Sequence, residues 1–293
     1  MIRKLKNKRQ ENGDMKKMII WLLAAALLLV PFGMSAEAEN QAEEFEYGDY
    51  IYHKLEDGSA LIWTYLGEDE AVVIPEELDG CPVMAVGPAF MGNRQIREVT
   101  MPDTVTELCE GAFCGCARLQ EIRLSENLQA VKDRTFLGCS ALKSVRVPDS
   151  VTLIGKNAFG SCSRLKQAEL SAGLTEIGPW AFNECVRLNE LIIPEGVTVI
   201  RMYAFRCCSA LTELIIPATV TTLEEELLYE CNNLKLVVCP GSVTEIGGGA
   251  LGWGERIVVI DRDSAAEQYC INHGIEFVWS DEYQGNGEQD AGR

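Results

Sequence analysis

The chain has 293 residues, 26 Lys/Arg against 44 Asp/Glu, a formal net charge of −18, twelve cysteines and two histidines. A chain this acidic repels phosphate backbones and anionic headgroups, which excludes nucleic acid as a partner class. Apolar residues make up 47%, ample for a core, and the length allows one or two domains.

In chain order, the first element predicted is a secretory signal over residues 1–38. Lys16 and Lys17 precede an apolar run from Met18 to Val30, broken by Pro31 and Gly33, and Ala36-Glu37-Ala38 supplies a small-x-small exit. The run falls short of the about 20 residues a spanning helix needs, so cleavage after Ala38 is expected, with a retained anchor helix as the alternative. No cysteine lies near the cleavage point, so nothing suggests a lipid anchor. Met15 opens a more typical signal, which makes residues 1–14 a candidate over-extended start. Residues 1–38 hold seven Lys/Arg and three Asp/Glu, a net +4, so the remainder carries −22. No membrane span is expected once the signal is removed.

Residues 39–46 read as a linker and residues 47–75 as an N-terminal cap. In the cap, Tyr50-Ile-Tyr-His and Ala60-Leu-Ile-Trp-Thr-Tyr flank Asp57-Gly58, a hairpin turn signal. From 76 to 255 the sequence repeats. Phe90, Phe113, Phe136, Phe159, Phe182 and Phe205, followed by Leu228 and Leu251, recur every 23 residues. Three residues later stand Asn93, Cys116, Cys139, Cys162, Cys185, Cys208 and Cys231. Three further on stand Ile96, Leu119, Leu142, Leu165, Leu188, Leu211 and Leu234. Pro or Ser closes many units, at Pro102, Ser125, Pro148, Ser171, Pro194, Pro217 and Pro240. Several columns in one register mark a repeat architecture of about eight units.

One unit cannot bury its own apolar side. In Leu119-Gln-Glu-Ile122-Arg-Leu124 the last two apolar residues fall at the period of a strand, Val105 to Leu108 is a second extended piece, and Gly111 to Cys116 is a tight turn that drops a Phe inward. Stacking the next coil at about 4.8 Å buries that side and lines identical residues into ladders. The predicted fold class is therefore an α/β, β-dominated solenoid. It is a stack of about eight 23-residue units with a parallel sheet on one face and short turns or 3₁₀ pieces on the other. Between Pro75 and Phe90 the first unit carries a four-residue insertion around Asp79-Gly80-Cys81-Pro82. Residues 256–280 read as a C-terminal cap. Ser264 starts a helix with Glu267 placed for a capping box, Gly274 stops it, and Ile275 to Trp279 is a closing strand. Residues 281–293 read as a disordered acidic tail.

The string Val-x-x-Ile-Gly-x-x-Ala-Phe-x-x-Cys-x-x-Leu, as it stands from Val151 to Leu165, resembles the BspA-type leucine-rich repeat of bacterial surface proteins. The match covers roughly residues 70–255. The resemblance implies a curved solenoid, export, and a role in adhesion or host-protein binding, and it brings no catalytic residues.

Twelve cysteines in an exported chain would suggest a disulfide framework. The ladder cysteines, however, point the same way in parallel coils, which suits the torsion of a disulfide poorly, and a buried thiol serves as a small apolar group and weak donor. They are read as free, and Cys81, Cys109, Cys114, Cys207, Cys239 and Cys270 are the better disulfide candidates. A straight ladder offers no converging metal ligands, so neither metal nor cofactor is expected. His53 and His273 have no companion motif, and neither a His-Glu-x-x-His, a phosphate loop nor a Gly-x-Ser-x-Gly is present. Glu224-Glu225-Glu226 reads as a solvated charge run before it reads as a weak calcium site.

The strand face of a solenoid is its natural binding surface. One outward column runs Thr100, Arg123, Arg146, Glu169, Ile192, Ile215, Val238, and another Glu98, Glu121, Ser144, Gln167, Glu190, Glu213, Leu236. The face turns from charged to apolar along its length, which makes Glu190, Ile192, Glu213, Ile215, Leu236 and Val238 the candidate protein-binding face. Plain strand preference for β-branched residues, or cover by the C-terminal segment, would also account for it. The expectation is an extracellular monomer, secreted or surface-associated, that binds a protein or glycoprotein. An envelope protein recognising a bacterial partner or glycan is the alternative, and an unrecognised hydrolase the third reading. No Leu-Pro-x-Thr-Gly wall-sorting motif is evident, and a free secreted form fits equally.

Overall fold

The computed structural model describes residues 43–284. The signal-peptide reading falls on residues 1–38 and lies outside them. The fold is a β-solenoid whose coils each contribute two short strands to two parallel sheets. The face sheet is built from Ala71–Val73, Glu98–Thr100, Glu121–Arg123, Ser144–Arg146, Gln167–Glu169, Glu190–Leu191, Glu213–Ile215, Leu236–Cys239 and Ile257–Ile260. The back sheet is narrower and made of two-residue strands. Its register Ala130↔Leu153↔Glu176↔Val199↔Thr222↔Glu245 advances 23 residues at each step. Between the sheets runs the turn column that carries the aromatic ladder.

The six phenylalanines are fully buried and stacked. Successive ring centroids lie 5.0, 5.6, 5.3, 5.2 and 5.8 Å apart, with interplanar angles from 8° to 20°. Burial of each is worth about 1.5–3 kcal/mol, and near-parallel contact adds to it. The cap joins the same ladder, since Tyr65 lies 5.1 Å from Phe90. From the coil of Phe113 to that of Leu228, each turn uses two left-handed residues four apart, Gly111 (φ 65°) and Gly115 (φ 73°) in one coil, Trp180 (φ 53°) and Glu184 (φ 61°) in another. This conformation aims the backbone N–H along the stack. Gly111 N donates to Asp133 O at 3.0 Å and Trp180 N to Met202 O at 3.0 Å.

The cysteine column has a defined partner. Each Sγ donates to the carbonyl of the Phe 26 residues earlier, from Cys116 to Phe90 O at 3.0 Å through Cys231 to Phe205 O at 3.1 Å. From Phe113 onward, that carbonyl also accepts the N–H of its own turn's cysteine, as Phe113 O does from Cys116 N at 3.1 Å. Both lone pairs are used inside an apolar core. In the first unit Asn93 replaces the thiol and folds back, its Oδ1 accepting from Gln95 N at 2.8 Å and Ile96 N at 3.1 Å. The off-ladder disulfide candidates are not paired with one another. Cys81, Cys109, Cys114, Cys207, Cys239 and Cys270 are free, and Cys207 instead donates to Glu230 Oε2 at 2.9 Å.

Both ends differ from expectation in one respect. Residues 39–46 were expected to be a linker, but Glu44–Tyr47 is a strand paired antiparallel with Tyr50–Lys54. Phe45 anchors it, 5.5 Å from the buried Tyr52 ring and under Lys54 Nζ. The hairpin across Asp57-Gly58 forms, and its strand Ala60–Tyr65 then runs parallel to Cys81–Val86, passing the cap into the solenoid. The insertion forms a small antiparallel turn at Asp79-Gly80, where Asp79 Oδ2 accepts the buried Tyr52 hydroxyl at 2.9 Å. At the other end the helix Ala265–His273 has the expected cap. Glu267 N donates to Ser264 Oγ at 3.1 Å, and Gly274 closes it at φ 65°. Its Tyr269 hydroxyl accepts Gly249 N at 2.8 Å, seating the helix over the last coil. Residues 281–284, expected to belong to a disordered tail, are held. Arg262 pairs with Asp281 at 2.9 Å and with Glu282, and Tyr283 N donates to Trp279 O at 3.0 Å. The rest of that segment lies outside the described residues.

Two outcomes follow for the ladder. Burial pushes the thiols of Cys116, Cys139, Cys162, Cys185 and Cys208 well up, and that of Cys231 up to about 12. The folded protein therefore holds these protons while an unfolded chain releases them above about pH 8.5. The ladder's contribution is complete below that pH and falls as pH rises, by up to about 1.4 kcal/mol per pH unit for each thiol. Urea melts between pH 8 and pH 11 should show this decline, flattened when Cys139, Cys162 and Cys185 are changed to Val. A decline of equal slope in that variant would remove the ladder as its cause. In a thiol-labelling assay, half-exposed Cys81 and Cys207 should react in the native state and all twelve only after denaturation.

Candidate binding face

In the three-residue face strands the middle residue is the more buried and its neighbours are exposed or half-exposed. Val99, Val145, Ala168, Leu214 and Val237 are buried between exposed or half-exposed flanks. The inward residues hold the fold, so the outward columns are free to vary. In the early coils several of their charges are matched. Arg146 Nη1 reaches Glu126 at 2.7 Å, Arg123 lies 3.8 Å from Asp103, and Lys143 lies 3.3 Å from Glu121.

The column then changes character. Ile192 is 84% exposed and Ile215 56% exposed on consecutive coils. Leu236 and Val238, expected in the same patch, are half-buried, and Ile257 extends the apolar edge at 40% exposure. Register sets Glu213 beside Leu236 and Ile215 beside Val238. Glu190 and Glu213 are exposed and, among the described residues, form no ion pair. The next residue in the column, Val259, is only 2% exposed, beside Val278 of the closing strand Phe277–Trp279. Exposure therefore grows away from the cap, whose cover does not reach Ile215 or Ile192. The face sheet also divides here: Glu190–Leu191 ends one three-stranded sheet and Glu213–Ile215 begins the next. Ile192 lies one residue beyond its strand, at that division.

The other chemistry-bearing groups have structural partners. His53 is stacked edge-on against Trp63 at 5.3 Å, with burial lowering its pKa. His273 Nδ1 lies 2.9 Å from Tyr269 O, with the two rings stacked at 4.1 Å. Glu224 is held by Arg201 Nη1 at 2.7 Å and by Met202 N at 2.9 Å, and Arg201 also pairs with Glu176 at 2.8 Å. The acidic run therefore has one carboxylate already engaged. Sequence reasoning missed the exposed Val186, which lies before its strand, and Ile257, which register sets beside Leu236 although it falls 21 rather than 23 residues later.

These features define a repeat protein that presents columns of side chains on a rigid β-scaffold. A family model for the BspA type leucine rich repeat region matches in six copies over residues 87–206 and 167–252. The chain belongs to the BspA-type leucine-rich repeat family. Among solved structures it is similar to a leucine rich cell surface protein of Faecalibacterium prausnitzii A2-165, at 23% identity over 75% of each chain and a TM-score of 0.57. It is also similar to a leucine rich repeat protein of T. pallidum, at 25% identity over 80% of this chain and 98% of that one, with a TM-score of 0.53. No curated protein matches the sequence. Among the described residues no helix is long and apolar enough to cross a membrane.

Proposed function

We propose that the protein is a secreted or surface-associated, non-enzymatic binding module that recognises a protein or glycoprotein through the middle of its face sheet. The observation that carries this reading is the exposure of Ile192 and Ile215, 23 residues apart on consecutive coils, where the preceding positions of the column are polar or charged. Exposed apolar side chains clustered on one surface mark contact sites. Glu190 and Glu213 form an acidic margin, and Leu236, Val238 and Ile257 extend the apolar floor toward the cap. Export is supported by the signal-like residues 1–38, and surface association by the cell-surface description of the F. prausnitzii protein.

The test is a binding screen of the purified chain against host matrix glycoproteins, mucin and the producer's cell-wall fraction. The double variant Ile192→Lys/Ile215→Lys should keep the fold, since both side chains face solvent, and should lose binding. Unchanged affinity in the variant rejects this face. Binding confined to the producer's own wall would assign the module to the envelope rather than to a host.

A further inference from the structure

Beside the face sheet, Arg97, Arg118, Arg123, Lys143 and Arg146 of the early coils are paired and Arg94 is exposed without an ion pair, whereas none of Arg164, Lys166 and Arg187 of the middle coils forms one among the described residues. Lys143 meets Glu121, 22 residues before it, at 3.3 Å, whereas Lys166 has Ser144 at that distance in the sequence. Arg118 reaches Glu70 at 3.4 Å. Arg164 and Arg187, its counterparts two and three coils on, are exposed and, like Lys166, form no ion pair among the described residues. Arg164 and Arg187 hold the same place in consecutive coils, which sets their backbones about 4.8 Å apart. Like charges at adjacent positions repel, so this pair costs stability in a chain that has acids to spare.

The corner is also continuous with the apolar patch. Arg187 and Ile192 flank one outer strand, five residues apart, and Val186 beside Arg187 is 39% exposed. Three unmatched cations next to exposed apolar side chains fit a ligand that carries both carboxylates and apolar groups. Guanidinium forks match carboxylates in a bidentate way. A sulfated glycan would use the cations and leave Val186 and Ile192 without a partner.

We infer that Arg164, Lys166 and Arg187 form a carboxylate-binding corner, and that the partner docks a protein segment with Asp or Glu side chains there and an apolar side chain against Ile192 and Ile215. The inference rests on the reading of Ile192 and Ile215 as a protein-contact face, and it adds the partner's chemistry.

The experiment uses the whole chain and fluorescence anisotropy with three probes. These are a short labelled peptide alternating Glu and Val, its counterpart with Gln for Glu, and labelled heparin. The Glu peptide should bind, weaken with added salt, and lose at least about tenfold in affinity to Arg164→Gln/Lys166→Gln/Arg187→Gln. The Gln peptide should bind weakly to both proteins. Equal binding of the two peptides, or no loss in the triple variant, overturns the corner. Heparin bound through these residues with no binding of the Glu peptide assigns an anionic glycan and overturns it too. The neutral variant Ile192→Ser/Ile215→Ser separates the two readings. Full Glu-peptide binding there, with loss in the triple variant, keeps the corner and rejects the apolar face; the opposite pattern rejects the corner alone. Circular dichroism confirms that each variant is folded.

Discussion

The stacking of one coil on the next at fixed register is the constraint on which the rest of the molecule depends. A single 23-residue coil has too few inward side chains to enclose a core, so its apolar side exists only as a contact with its neighbours. Two ladders hold the register at the same turn. The phenylalanine rings pack face to face, and the thiol of each following coil closes the second lone pair of the Phe carbonyl. A shift of one residue would break both at once. The period therefore tolerates irregularity only where the stack begins or ends. The four-residue insertion sits in the first unit, and the extra chain is tied to the cap by the Tyr52–Asp79 hydrogen bond.

This constraint is one-sided. Inward positions repeat because each must match the coil above and below, while outward positions of the face strands meet only solvent and their column neighbours. Charge, polarity and apolar surface can then change from coil to coil without disturbing the ladders. Paired charges such as Arg146–Glu126 contribute little net stability at the surface. They do keep the early part of the face chemically satisfied. In the middle coils acids such as Glu190 and cations such as Lys166 are both exposed without forming ion pairs among the described residues, and the exposed isoleucines stand beside them.

What was legible in the sequence follows the same division. The Phe, Cys and Leu columns were visible because packing demands one residue type at each place, and the caps because Asp57-Gly58, Ser264, Glu267 and Gly274 are local signals with local causes. The left-handed turn positions were not visible in the later coils. The backbone demands the conformation there, yet Trp180, Tyr203, Glu184 and Glu230 occupy it in place of glycine. The acceptor of the thiol ladder was hidden for a related reason, because a carbonyl leaves no mark on residue identity. Glu44–Tyr47 has too short and too charged an alternation to stand out, and its strand depends on a distant contact between Phe45 and Tyr52. For the binding face, the columns could be written down from the repeat, but not the gradient of burial along them. That Val238 is half-covered while Ile192 is open depends on where the C-terminal cap stops.

The rigidity of the scaffold bears on how such a face recognises anything. The turn N–H groups are committed to neighbouring coils and the side chains inside are stacked, so a partner gains little by inducing a change of shape. On the proposed reading, binding would draw on side chains of a scaffold already in place, which would lower the ordering cost of association and put discrimination into the pattern of columns. Isoleucine suits this role, since its β-branched side chain is stiff and loses little freedom on contact. On the reading proposed above, the exposed pair of isoleucines would contribute affinity without direction, whereas the cations to one side would contribute direction and reject partners of the wrong charge. The two together, on three consecutive coils, would give the proposed face the asymmetry needed to hold a segment in one orientation.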